Sequence, residues 1–325
     1  MAFDPHAAPI KIDNVPRQSW EVGELKAERR RLGAATGAAR LGVAIIEVAP
    51  GARATPPHSH ADEDELFLVL EGDGLSWQSS GSKDARTYAI SEGDVLFHEG
   101  NGDAHTLIAG DRGLTVLVLA EGSRTNITYL PRAQQFWLGP RWSPADLPPP
   151  FVGDAELGPL ELPAPTADRP STIVALADCA PTTERNGRFR TTYWDPSKAA
   201  GSTRLVLAID ELEPGARSCV MHWHTVREEC FLILRGTGSV QIGEVAHDIG
   251  PGSFVFRHAD TAVPHAIDAG PDGLRYVTMG DLTPGDLCFY PDSNKVSLGR
   301  GLYVGAELLD YFENEPDAAH LRRDS

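Results

Sequence analysis

The chain has 325 residues, 41% hydrophobic and 23% charged, with a formal net charge of −17. That length suits two domains better than one core, and no apolar run is long enough to cross a bilayer. The acidic balance argues against nucleic acid or an anionic membrane as the main partner, because both need a basic face.

The first residues, MAFDPHAAPIKIDNVP, lack a basic start followed by an apolar core. No secretion signal is therefore expected, and a cytoplasmic protein is the reading. The one basic cluster, Glu28-Arg29-Arg30-Arg31, reads as solvated surface. Short apolar runs follow: LGVAIIEV (41–48), ELFLVLEG (65–72), GDVLF (93–97) and LTVLVLA (114–120), broken by Gly, Asp, Pro and Ser. Short strands with frequent turns predict an all-β fold, an antiparallel sandwich or barrel. Residues 139–170 hold nine of the chain's 25 prolines. Proline breaks helices and donates nothing to a ladder, so this stretch reads as a linker. It is an ordered strap, with Trp142, Leu147, Phe151 and Leu160 as apolar anchors. The expected division is an N-terminal domain at 1–138, the linker at 139–170 and a C-terminal domain at 171–325. The four cysteines form no CxxC pair and read as small core residues or bystanders in a reduced protein. The tail ELLDYFENEPDAAHLRRDS is expected to end in disorder.

The chain repeats itself. Residues 50–72 read PGARATPPHSHADEDELFLVLEG, and residues 214–236 read PGARSCVMHWHTVREECFLILRG. A shift of 164 carries His58, His60, Glu65 and Gly72 onto His222, His224, Glu229 and Gly236. Further on, a shift of 160 carries His105 onto His265. Two similar halves imply a duplicated domain.

Along a strand, side chains two apart share a face about 7 Å apart. His58 and His60 therefore look the same way, as do His222 and His224. Glu65 and Glu229 lie at an odd offset and join them only if the chain bends at the polar stretches 61–64 and 225–228. Alternation then sets Phe67, Val69, Phe231 and Ile233 beside the glutamates as cavity walls. Leu66, Leu68 and Leu70, with Cys230, Leu232 and Leu234, face outward against other structure. Three imidazoles and a carboxylate converging in an apolar barrel make poor sense without a metal. The set His58, His60, Glu65, His105, and again His222, His224, Glu229, His265, suits a divalent transition metal, up to two per chain. Fe or Mn head the list; Ni, Co, Cu and Zn also fit. Four protein ligands leave two octahedral positions for water, dioxygen or a chelating substrate. Trp223, between two histidines, is sent outward as a packing anchor. Arg235 and Glu71 read as exposed strand ends; inward, they would make the second cavity the better one for an anion. His98 and His258 read as solvent-exposed loop histidines, with a proton shuttle as the sharper alternative.

Each half resembles the first motif of the cupin superfamily, PGxxxxxxHxHx4Ex6G, and the pair looks like a two-domain bicupin. His105 and His265 match the second motif's histidine, whose usual preceding proline is replaced by Glu99 and His258. The resemblance covers about 85 residues in each half. It implies two tandem jelly-roll (double-stranded β-helix) barrels, each with a mononuclear metal. Such ligand sets occur in dioxygenases, decarboxylases, isomerases, lyases and binding proteins, and fold does not select among them. The expected function is a metal-dependent dioxygenase acting on a small aromatic, enol or diketone. The alternatives are a redox-neutral decarboxylase, isomerase or lyase, and a non-catalytic binding protein. The expected partner is a small-molecule substrate, with a homodimer as the assembly that cupins commonly form.

Overall fold

The alternating apolar runs become strands wherever one face can be buried, and the computed structural model describes them over residues 4–81, 84–122, 127–138, 141–299 and 301–304. The first half runs β1 (Ile10–Lys11), β2 (Arg17–Val22), β3 (Leu25–Arg31), helix α1 (Leu32–Thr36), β4 (Leu41–Val48), β5 (Ser59–His60), β6 (Glu65–Ser79), β7 (Arg86–Ser91), β8 (Asp94–His98), β9 (Ala104–Glu121), β10 (Thr128–Leu130), β11 (Gln135–Trp137) and β12 (Trp142–Ser143). Helix α2 (Pro150–Glu156) lies in the connection. The second half repeats the series: β13 (Ile173–Ala175), β14 (Thr182–Asn186), β15 (Phe189–Trp194), α3 (Pro196–Ala199), β16 (Leu205–Leu212), β17 (Trp223–His224), β18 (Glu229–Ile242), β19 (Val245–Ile249), β20 (Ser253–Arg257), β21 (His265–Asp281), β22 (Cys288–Tyr290), β23 (Lys295–Ser297) and β24 (Leu302–Val304). Every pairing between these strands is antiparallel, and each half forms a jelly-roll barrel with a four-stranded sheet beside it.

One feature extends the repeat beyond what the sequence suggested. The large sheets are ordered β13-β8-β6-β9-β4-β3-β2 and β1-β20-β18-β21-β16-β15-β14. The first strand of each half therefore adds to the other half's sheet: Ile10 pairs with Phe254, and Val174 with Val95. The sheets thus do not end where the expected domain segments do.

The glycine that closes each motif is a steric requirement. Gly72 and Gly236 have φ of +90° and +81°, where β6 and β18 bulge against β9 and β21. A Cβ there would lie 2.2 Å from the carbonyl oxygen of Gly113 or Gly273, so only glycine fits.

Inner and outer residues of β6 and β18 separate as alternation requires. Phe67 and Val69 join Ile46, Leu96 and Val116 inside the first barrel, and Phe231 and Ile233 join Val240, Ile267 and Tyr276 inside the second. Leu66, Leu68, Cys230 and Leu232 point the other way into one core shared by both barrels, with Leu117, Leu207 and Phe254. Ion pairs cross the same junction. The Glu228 carboxylate accepts from the backbone N–H groups of Ala39, Arg40 and Leu41 at 2.9, 2.9 and 3.1 Å. From the second half, Arg204 reaches Asp62, Asp64 and Glu121.

The connection is ordered and held by charge. Asp154 on α2 is fully buried between Arg53 and Arg132. Phe151 meets Trp20 edge-on at 5.6 Å, Trp142 stands 5.1 Å from Trp137, and Leu160 is buried. Leu147 is 41% exposed and anchors nothing, contrary to expectation. The C-terminal tail expected to be disordered lies outside the described residues. No helix among the described residues is long and apolar enough to cross a membrane.

Removing one partner of a buried ion pair strands the other charge, so Asp154→Ala is expected to lower stability by about 3–5 kcal/mol. Urea unfolding followed by circular dichroism measures this; a loss of less than about 1 kcal/mol would contradict the anchoring role.

Candidate metal centres

The bend between β5 and β6 swings Glu65 under the two histidines of β5, and the start of β9 brings His105 beside them. All four side chains converge. His105, His60 and His58 place Nε2 2.9, 3.2 and 4.0 Å from Glu65 Oε2. The second half builds the same cluster from β17, β18 and β21: His222, His224 and His265 place Nε2 3.3, 3.4 and 3.3 Å from Glu229 Oε2. The structure thus gathers the eight expected ligands into two groups of four.

These groups fit a metal. Donors about 2.1 Å from a common ion sit about 3.0–3.4 Å apart on adjacent positions and about 4.2 Å apart on opposite ones, a span that takes in the 4.0 Å of His58 as well as the shorter separations. Outside His265, their outer nitrogens are also committed. His58 Nδ1 donates to the Pro56 carbonyl at 2.9 Å, His105 Nδ1 to Asp103 at 3.3 Å, and His222 Nδ1 to Val220 at 3.0 Å. Without a metal such a ring can face the carboxylate only as an Nε2–H donor, as His105 and His222 do at 2.9 and 3.3 Å, and a divalent cation bound between them would take the place of that proton. His265 keeps both ring nitrogens buried with no hydrogen-bond partner among the described residues. The loop before the third histidine turns through left-handed Asn101 or Asp260, whose N–H donates to the carbonyl of His60 or His224.

The electrostatics agree. Burial alone would raise Glu65, yet the His60 charge and the His105 hydrogen bond hold it well below the usual carboxylate range. Glu229 is likewise held low against burial, by Arg227 and then His222 and His265. Burial, with His105 beside it, drives His58 down to about 3. Burial opposes charge on His60 too, but Glu65 overrides it and raises His60 to about 9.

The two cavities differ. The first has a volume of about 650 Å³ and apolar walls that include Phe67, Leu107, Val116 and Val118, with Trp137, Trp142 and Phe151 from the cap and linker. The second, about 630 Å³, is lined by Arg227, Asp281, Asp286, Cys219, Cys288 and Tyr290. Thr55 Oγ1 lies 3.5 Å from His58 Nδ1 and Thr128 Oγ1 lies 3.2 Å from His60 Nδ1. In the second half Cys219 replaces Thr55, with its sulfur 3.5 Å from His222 Nδ1, and Cys288 replaces Thr128 beside His224. His224 Nδ1 donates to Asp286 at 2.5 Å. Two of the cysteines taken as bystanders therefore stand at a centre; Cys230 lies in the shared core.

Other expectations change. His98 is not an exposed loop histidine: it ends β8, is buried, and stacks on His105 at 3.8 Å with the rings 9° from parallel. His258 is held between the Thr36 carbonyl at 3.0 Å and Glu228 at 3.7 Å. The arginine cluster is solvated only in part: Arg31 is exposed, Glu28 and Arg29 are half-buried and Arg30 is buried. Alternation on β3 sends Arg29 and Arg31 to the first cavity and buries Arg30 against Glu47 and Asp13. Arg235 and Glu71 are exposed, as expected. Trp223 faces away from the centre and stacks on Phe289 at 4.6 Å within its own half.

The match to known proteins follows this geometry. The family model described as "Cupin domain" matches residues 44–119 and 208–279. No curated protein matches the sequence. Among solved structures, oxalate decarboxylase from Bacillus subtilis is 16% identical with a TM-score of 0.58, covering 84% of this chain and 75% of that one. The formate complex of oxalate decarboxylase from Lactobacillus farciminis is 19% identical with a TM-score of 0.58, covering 86% of both chains. Vicilin from tomato, Solanum lycopersicum, is 15% identical with a TM-score of 0.56, covering 88% of both chains. At these identities the likeness concerns the fold.

Metal uptake at the first centre must expel the proton that Glu65 holds on His60. With a metal-free His60 pKa of about 9, the proton is bound below that pH and lost above it. Apparent affinity is therefore expected to rise about tenfold per pH unit from about pH 7 to 9 and then level off, with about one proton released. Calorimetric titration of the His224→Ala protein in buffers of different ionisation enthalpy measures this; pH-independent uptake would contradict it. With its motif doubled, its ligand sets doubled and its two jelly rolls packed on a shared core, the chain belongs to the cupin superfamily as a bicupin.

Proposed function

We propose that the chain is a metal-dependent enzyme with its active centre in the first barrel. His58, His60, Glu65 and His105 hold one divalent metal, and His222, His224, Glu229 and His265 hold a second. The observation that carries this reading is the convergence of four inward donors at an apolar cavity of about 650 Å³, large enough for a small organic molecule. When bound there, a divalent metal supplies Lewis-acid activation of a chelating substrate's oxygen atoms.

The chain's own groups then divide the work. Phe67, Val116 and Val118 exclude water and hold an apolar body. Glu63, which lines the cavity 3.8 Å from His60 Nδ1, is a second carboxylate placed to give or take a proton. A proton-handling carboxylate beside the centre favours redox-neutral chemistry, namely decarboxylation, isomerisation or lysis. The fold likeness to oxalate decarboxylases points the same way, although the apolar walls suit a larger substrate than oxalate. A dioxygenase acting on a small aromatic, enol or diketone is the second reading, and the same walls favour it.

Oxygen demand separates the two. Protein loaded with Fe or Mn is incubated with oxo acids, β-diketones and catechols under argon and under air. Redox-neutral turnover is expected to proceed equally in both, and Glu63→Gln is expected to slow it at least about tenfold. Turnover only in air, with oxygen consumed, would favour the dioxygenase. No turnover of any of these classes by fully loaded protein would contradict the enzyme reading.

A further inference from the structure

The first cavity carries a feature that its metal centre does not use. Arg29 and Arg31 lie two apart on β3 and both line this cavity, Arg29 half-buried on its wall and Arg31 exposed. Among the described residues, no carboxylate comes within ion-pair distance of either; Arg86, Arg141 and Arg257 also lack one, but Arg29 and Arg31 are the two that line this cavity. Arg29 donates to Gln18 Oε1 at 3.2 Å, lies 5.9 Å from the Trp20 ring centre, and has its Nε buried with no hydrogen-bond partner among the described residues. Burial, and then the Arg31 charge, lower its pKa.

Two like charges on one cavity wall cost free energy that a bound anion offsets. The barrel does not demand them. At the corresponding positions the second half has Tyr193 and Asp195, and Asp195 accepts hydrogen bonds from Lys198 N–H at 2.9 Å and Ser197 Oγ at 2.7 Å at the start of α3. Glu63 and Glu65, the acids lining the first cavity, lie on the histidine side, 3.8 and 3.2 Å from His60 nitrogens.

We infer that the first cavity selects a ligand with an apolar body and an anionic group, such as a carboxylate or sulfonate, and that Arg29 and Arg31 determine this specificity. The inference rests on the first cavity being the substrate site. It also reverses the charge preference that inward-facing Arg235 and Glu71 would have given the second cavity.

The test compares two probes that share one apolar body: 8-anilinonaphthalene-1-sulfonate and its uncharged analogue N-phenyl-1-naphthylamine. Fluorescence titration of the full-length, metal-loaded protein is expected to give at least about tenfold tighter binding of the sulfonate. In Arg29→Gln/Arg31→Gln the preference is expected to fall to within about twofold, with affinity for the neutral probe unchanged. His58→Ala/His60→Ala is expected to keep the preference, which would show that the sulfonate is not simply taken by the metal. If the double arginine variant misfolds by circular dichroism, Arg31→Gln alone serves, with an intermediate preference expected. Equal binding of both probes to the unmodified protein, or a preference that survives loss of both arginines, would overturn the inference. Metal content measured on the same samples keeps the two readings apart. Metal without anion preference overturns this inference alone, and anion preference without metal overturns only the metal reading.

Discussion

Two consecutive acidic residues at the start of one strand organise the molecule. At Asp64-Glu65, and again at Glu228-Glu229, the pleat turns one carboxylate toward the histidines and its neighbour toward the opposite barrel. The same alternation runs on along β6 and β18, where inner residues wall the cavities and outer ones fill the shared core. A slip of one residue would exchange the two sets and bury Asp64 at the centre. Register, centre and barrel packing are therefore one constraint, and the exchange of β1 and β13 between sheets reinforces it from outside.

On that common frame the halves have diverged. The first keeps hydroxyls behind its histidines, apolar walls, a cap drawn partly from the connection, and two arginines that have no carboxylate partner among the described residues. The second replaces both hydroxyls with thiols and sets Arg227 where the first has Glu63. Arg227 lies 3.4 Å from the free oxygen of Glu229. The ligand frame is duplicated, but the surroundings that choose a ligand and tune a metal are not. The fold alone therefore does not set the chemistry; each cavity's own lining does.

Much of this was legible in the residues. The HxHx4E spacing is local, and its recurrence with a third histidine downstream in each half made the clusters legible although His105 and His265 arrive from distant strands. Alternation sorted Phe67 from Leu66 because a strand buried on both faces leaves no other assignment. What escaped had non-local causes. The exchange of β1 and β13 depends on which distant edge Ile10 and Val174 find, and short apolar runs do not encode a partner. His98 is buried because β8 ends against His105, not because of its neighbours in sequence. Arg29-Arg30-Arg31 reads as surface until the strand's parity is applied, which sends alternate charges to opposite sides. Cys219 and Cys288 carry no motif, and only the alignment of the halves pairs them with Thr55 and Thr128.

The central claim is that each barrel holds its own metal on its own three histidines and one glutamate. The most direct measurement is elemental analysis of metal per chain, on protein purified without chelator, for the parent and for His60→Ala and His224→Ala. About two equivalents falling to about one in each variant is the predicted result. Less than about a tenth of an equivalent in correctly folded parent protein that still takes up no added Fe or Mn, or undiminished metal in both variants, would contradict it.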